Sequence, residues 1–152
     1  MNQPTLRPVP SKDFYEVVRD FELVGFNQEV VVPKFFQYDG ASIPPIGWQA
    51  TYTPFHPDVM AAALVHDWIY YTHQVSRNKA DDLLFDLLRA NGVGRFKANT
   101  MWLAVKTAGE PFWENDKDDV VFLLDLCRRL RGRPNFDKYH FPQEITDQCM
   151  SD

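Results

Sequence analysis

His66 and Asp67 stand side by side within AAALVHDWIYYTH, residues 61–73, among apolar and aromatic neighbours. An imidazole beside a carboxylate is material for proton transfer or for cation binding. On a helical wheel of about 100° per residue, His66 is flanked by Val59, Ala62, Ala63, Ile69 and Tyr70. The opposite side holds Met60, Leu64, Trp68 and Tyr71, which are no more polar. A helix apolar all round lies in an interior. His66 and Asp67 therefore face neighbours rather than water, and a buried carboxylate needs a cation, donors or a raised pKa.

A partner follows in RNKADDLLFDLLRA, residues 77–90. Its apolar arc is made by Ala80, Leu84, Phe85, Leu87 and Leu88, and Asp81 falls inside that arc. Asp82 points to solvent with Asp86 and Arg89. Only a short link around Gln74 and Val75 joins the two helices, so they pack antiparallel and Asp81 can reach His66 or Tyr70. A carboxylate that holds one ring nitrogen leaves the other to act as a directed base. A Tyr70 hydroxyl donating to the same carboxylate keeps it ionised. The same His–Asp–Tyr network can also simply lock two helices together, and both readings stay open at this point.

Around this pair the sequence places further elements. FYEVVRDFELV and QEVVVPKFF, separated by GFN, are rich in β-branched and aromatic residues and read as a hairpin between Phe14 and Val32. Pro33 limits how far the second strand pairs. YDGASIPPIGWQATYTPFHP, residues 38–57, carries two glycines and four prolines and reads as a shaped loop. The first helix starts at Pro57 or Asp58 and runs to His73. Ser76 caps the second, which ends at Asn91-Gly92. A third spans Phe96 to Ala108, where GEP breaks it. A fourth has Asp116, Asp118 and Asp119 in its first turn and Arg128, Arg129 and Arg131 in its last. The fold expected is one α+β domain over residues 1–152, mainly α, with the hairpin and loop packed on about four helices. Residues 1–12 and 134–152 are expected as extended or wrapping tails.

The chain of 152 residues, 45% of them hydrophobic, is long enough to bury a core. A net charge of -5 argues against nucleic acid as a partner. The start, MNQPTLRPVP, is no signal peptide, and no apolar run is long enough to span a membrane, so the cytoplasm of the producing cell is the expected location. Cys127, in a helix, and Cys149, in the tail, are expected as free thiols.

Other constellations are weaker. His56 ahead of His66-Asp67 invites comparison with metal-dependent phosphohydrolases of the HD type, but their further ligands are not found. A Ser42–His66–Asp81 triad lacks the Gly-x-Ser-x-Gly elbow. ENDKDD, residues 114–119, lacks the glycine and terminal glutamate of an EF-hand and reads as a helix start. RRLRGR, residues 128–133, reads as a solvated helix end. Trp102, Phe112 and Trp113 read mainly as core, with an exposed subset suited to a partner or a lipid surface.

HDWIY followed by ADDLLF resembles the helix pair of secreted phospholipases of the A-two type, particularly the compact version carried in parvovirus capsids. The resemblance covers about a fifth of the chain. It implies that His66 activates a water, that Asp67 ligates calcium, and that Tyr70 and Asp81 form the supporting network. Those enzymes bind calcium through a glycine-rich loop; here the matching segment YDGASIPP has Gly40 alone, with Asp39 and Ser42 as further oxygen donors.

A longer resemblance runs from Val31 to Trp113. VVPKFFQYDGASIPPIGW, AAALVHDWIY, SRNKADDLLFDLL and MWLAVKTAGEPFW are similar to a family of uncharacterised phage and prophage proteins, a domain of unknown function. It implies a viral or prophage origin and no particular activity. The two resemblances lead to two expectations. One is a calcium-assisted lipid ester hydrolase acting at a phospholipid surface, with the loop Asp39–Ser42 over the site. The other is a virion or assembly protein whose partners are other virion subunits and whose buried network is structural.

Overall fold

The computed structural model describes residues 2–39, 43–44 and 55–152. The expected α+β, mainly helical fold is observed: two small antiparallel sheets, then helices. In the first sheet β2 (Tyr15–Val17) lies between β1 (Leu6–Pro8) and β5 (Gln37–Tyr38). The second is the hairpin of β3 (Phe21–Leu23) and β4 (Val30–Val32), with Phe21 opposite Val32. Gly25, Phe26 and Asn27 all take positive φ in its turn, so the reversal rests on a left-handed run that glycine opens without steric cost.

The expected hairpin is thus half right. FYEVVRDFELV is not one strand: the chain leaves β2 after Val17 and starts a separate strand at Phe21. Long-range hydrogen bonds cause the break. Asp20 accepts from Lys34 N at 2.9 Å, Asn135 Nδ2 at 3.0 Å and the Tyr139 hydroxyl at 2.7 Å. Burial alone would raise the Asp20 carboxyl, but these donors and Arg133 outweigh it and hold it below the usual range. After Pro33 has ended β4, Phe35 N donates to Val17 O and Val17 N to Phe36 O, which brings the chain back alongside β2.

The first helix starts at Met60 rather than at Pro57 or Asp58, and Val59 before it offers no side-chain cap. α1 (Met60–Thr72) ends on His73, which is left-handed at φ 57°. Residues 73–76 separate it from α2 (Arg77–Ala90), and the Ser76 hydroxyl accepts from Lys79 N at 3.2 Å. α3 (Arg95–Ala108) stops at Gly109, and the short α4 (Glu110–Trp113) follows at once. Asp116 and Asp119 form a reciprocal capping box at the start of α5 (Lys117–Leu130). The C-terminal segment, expected as a tail, folds into a 3-10 turn (Phe136–Tyr139) and α6 (Gln143–Ser151) on α5.

α1 is the centre of the core. Every residue from Ala61 to Tyr70 is buried. Trp68 packs edge-on against Phe36 and Phe141, so one helix joins the N-terminal strands to the C-terminal turn. Large aromatic burial of this kind is worth about 3–5 kcal/mol per ring on truncation. A helix so enclosed holds its polar side chains rigidly.

Candidate functional site

Three of the residues singled out in the sequence meet between α1 and α2. His66 and Tyr70 lie one turn apart on α1, and Asp81 faces them from α2. His66 Nε2 is 2.7 Å from Asp81 Oδ1, and the Tyr70 hydroxyl donates to the same oxygen at 2.6 Å. The side chains of His66 and Asp81 are both 0% exposed, whereas Asp82 next door is 61% exposed. The wheel separates the two aspartates correctly because burial on a packed helix follows its apolar arc.

Burial pushes the His66 pKa down, more than the hydrogen bond and charge of Asp81 push it up. The ring is therefore neutral. A carboxylate only accepts, so the shared proton sits on His66 Nε2 and Nδ1 is the basic nitrogen. Burial and then Asp81 push the Tyr70 hydroxyl far above its usual range, which keeps it a donor. Asp81 Oδ2 takes no hydrogen bond among the described residues, but Arg77 Nε, one turn earlier on α2, stands 3.7 Å away.

Two contributors were not picked out in the sequence. Arg77 reaches from Asp81 to the end of α3, donating to Lys106 O at 2.9 Å. Its signal was the i, i+4 spacing to Asp81. Gly109 is the other. A Cβ there would lie 2.9 Å from the Tyr70 hydroxyl and 2.4 Å from Val105 O, so the close approach of Tyr70 requires glycine.

Asp67, 5% exposed, turns away from this network and lines a cavity of about 200 Å³. Tyr70 and Tyr71 form part of the same wall, Pro111 and Phe112 give it an apolar side, and Glu114, Asp116 and Asp119 add carboxylates. Asp39 belongs to the same neighbourhood. Burial, then Asp67, then Asp39 raise the Tyr38 pKa, and Tyr71 is raised by burial, Asp67, Asp119, Asp39 and Asp116. The ENDKDD segment is the helix start expected of it, and its acids also border this cavity. Oxygen donors of this type suit a hard cation. Among the described residues, however, no three His, Cys, Asp or Glu side chains are arranged to hold a metal ion.

The remaining candidates fall in several places. Ser42, Gly40 and most of the loop 38–57 lie outside the described residues. His56 accepts from Asp58 N at 3.1 Å in a local turn. Trp102 is not wholly core: its Nε1 donates to Asp82 at 2.9 Å. Trp113 stacks on His73, with centroids 3.8 Å apart, and meets Tyr70 edge-on. Arg128 pairs with Asp152, as a solvated helix end does. No described helix is long and apolar enough to cross a membrane.

Two curated relatives share part of this chain. An uncharacterized protein of Sinorhizobium fredii, y4jT, is 35% identical over 82 residues, covering 54% of this chain and 24% of its own length. A second from the same organism, y4iH, is 32% identical over 75 residues, 49% of this chain and 31% of its own. The chain therefore spans only about a quarter to a third of the length of these relatives. No solved structure matches. The model for the protein of unknown function family DUF1353 matches residues 15–105, which takes in β2 to β5, the His66–Asp81–Tyr70 centre and most of α3. More than half of the chain is thus accounted for, and it belongs to the DUF1353 family.

Proposed function

We propose that the His66–Asp81–Tyr70 network is a general-base centre for ester hydrolysis at a phospholipid surface, in a protein of phage or prophage type. The observation that carries this reading is the double hydrogen bond on Asp81 Oδ1, at 2.7 Å from His66 and 2.6 Å from Tyr70. It holds the Nε2 proton of an imidazole that burial favours in its neutral form. In this reading Nδ1 takes a proton from water, Asp81 stabilises the imidazolium that forms, and Tyr70 holds Asp81 in place. The His66 side chain is 0% exposed, so water enters only when the wall shared with the Asp67 cavity opens.

Charge gives a reason to involve a cation. A cavity bordered by Asp67, Glu114, Asp116 and Asp119 repels an anionic lipid headgroup. Calcium held by Asp67 and Asp39 would remove that repulsion and polarise an acyl carbonyl. The half-exposed Phe112 and Pro111 offer an acyl chain an apolar edge. Fatty-acid release from mixed phospholipid vesicles, in calcium and in EDTA, tests the reading. Calcium-dependent release that Asp67→Asn abolishes supports it; no release from folded protein rejects it.

Complete burial of both His66 and Asp81 favours a second reading. A network with no solvent access also suits a virion or assembly protein in which it locks α1 to α2. Co-purification with a capsid or tail subunit, with no lipid hydrolysis, supports that alternative.

A further inference from the structure

α3 buries one face, made by Ala98, Met101, Ala104 and Val105, and turns a second apolar stripe outward. On that outer side Phe96 is 81% exposed, and Leu103, seven positions on, is 55% exposed. Residues seven apart share one face of a helix. The threonines of the stripe do not make it polar. Thr100 Oγ1 donates to Phe96 O at 2.9 Å and Thr107 Oγ1 to Leu103 O at 2.8 Å, so both hydroxyls are spent on their own helix.

Beside the stripe runs a groove between α2 and α3, a cavity of about 400 Å³ lined by Asp82, Phe85, Asp86, Asn99 and Trp102. Lys106 shows which charge one end of it accepts: its ammonium stands 5.4 Å from the Trp102 ring centroid and 3.1 Å from Asp82. One turn on, Asp86 has no such cation among the described residues. Arg95, the exposed cation next to Phe96, has no anion among them either. One chain therefore carries an open cation beside a protruding ring, and an open anion in an aromatic groove.

We propose that the outer face of α3 is the interface of a twofold dimer, in which Phe96 of each copy enters the α2–α3 groove of the other and Arg95 of each copy pairs with Asp86 of the other. The occupant is a second copy because this chain holds both halves of the contact, the charges included. Phe96 and Trp102 are six positions apart on α3, about 9 Å along its axis. A twofold axis crossing the helix between them sets the ring of each copy opposite the groove of the other. Such an interface is isologous and closes after two copies. In it Phe96 meets the rings of Phe85 and Trp102, a contact that aromatic side chains favour. The exposed stripe is covered, and nothing in the arrangement depends on the chemistry at His66.

Sedimentation velocity of the full chain over a dilution series tests the proposal. Wild type should show a monomer–dimer equilibrium and no larger species. Phe96→Asp should leave only monomer, whereas Val121→Asp, at an exposed apolar position on α5, should leave the dimer intact. Asp86→Arg and Arg95→Asp each set like charges against one another in a homodimer, so each variant alone should be monomeric. An equimolar mixture of those two variants should dimerise, because one copy of each restores both opposite-charge pairs. All four substituted side chains are exposed, and circular dichroism checks that the variants keep the fold. Wild type that stays monomeric at every concentration, species that grow beyond the dimer, a dimer that survives Phe96→Asp, or charge variants that stay monomeric when mixed would each overturn it.

Discussion

The hydroxyl of Tyr70 occupies the space in which a side chain on Gly109 would begin, since a Cβ built there lies 2.9 Å from it. The end of α3 and the polar centre of α1 therefore share one close approach. Gly109→Ala should cost about 1–3 kcal/mol, as overpacking does. Part of that cost should vanish in a Tyr70→Phe background, where the hydroxyl is gone and only the conflict with Val105 O remains. Urea denaturation of the four proteins in a double-mutant cycle measures the coupling, and strictly additive losses would contradict it.

Asp81→Ala should be worse. It removes the acceptor of both His66 and Tyr70 inside a site with no water access. A loss of about 3–5 kcal/mol is expected for breaking a buried pair from one side. Asp82→Ala, one residue away but largely exposed, should cost much less despite its bonds to Trp102 and Lys106. Equal losses for the two variants would mean that the inner position of Asp81 carries no energy.

Acid should weaken the fold through His66. Its folded pKa lies below the ordinary 6.5 because burial disfavours the cation. The stabilising contribution is therefore present above 6.5. Below that value the unfolded chain binds a proton that the folded chain does not, so stability falls as pH drops toward the folded pKa. The slope contributed is up to about 1.4 kcal/mol per pH unit. His66→Gln should flatten stability against pH in this window, and unchanged slopes would refute the assignment.

How much of this was legible in the sequence depends on the range of the cause. Ser76, Asp116 and Asn91-Gly92 mark helix ends through local hydrogen bonds and backbone preferences, so those ends were readable. Asp81 was readable because helical periodicity separates it from Asp82. The break at Asp20 was not, because the donors that hold it include Asn135 and Tyr139, far along the chain. α6 was missed because only Ile145 and Cys149 of its residues are buried, too few to make an apolar stripe. The acids of ENDKDD carried a complete explanation as helix caps, which hid their second position beside Asp67. Gly109 was readable as the break after α3 but not as a neighbour of Tyr70, since the conflicts a side chain would meet there, with Val105 O and the Tyr70 hydroxyl, are tertiary and local contacts rather than an unusual backbone angle.

The central claim is that His66 is a base and not only a lock. The most direct measurement is the initial rate of fatty-acid release from mixed phospholipid vesicles in calcium, for wild type and His66→Asn, each checked for native circular dichroism. The account predicts release by the wild type and a fall of about 10²–10⁴-fold in the variant. Equal rates, or no release from the folded wild type, would contradict it and leave the network as the bolt between α1 and α2.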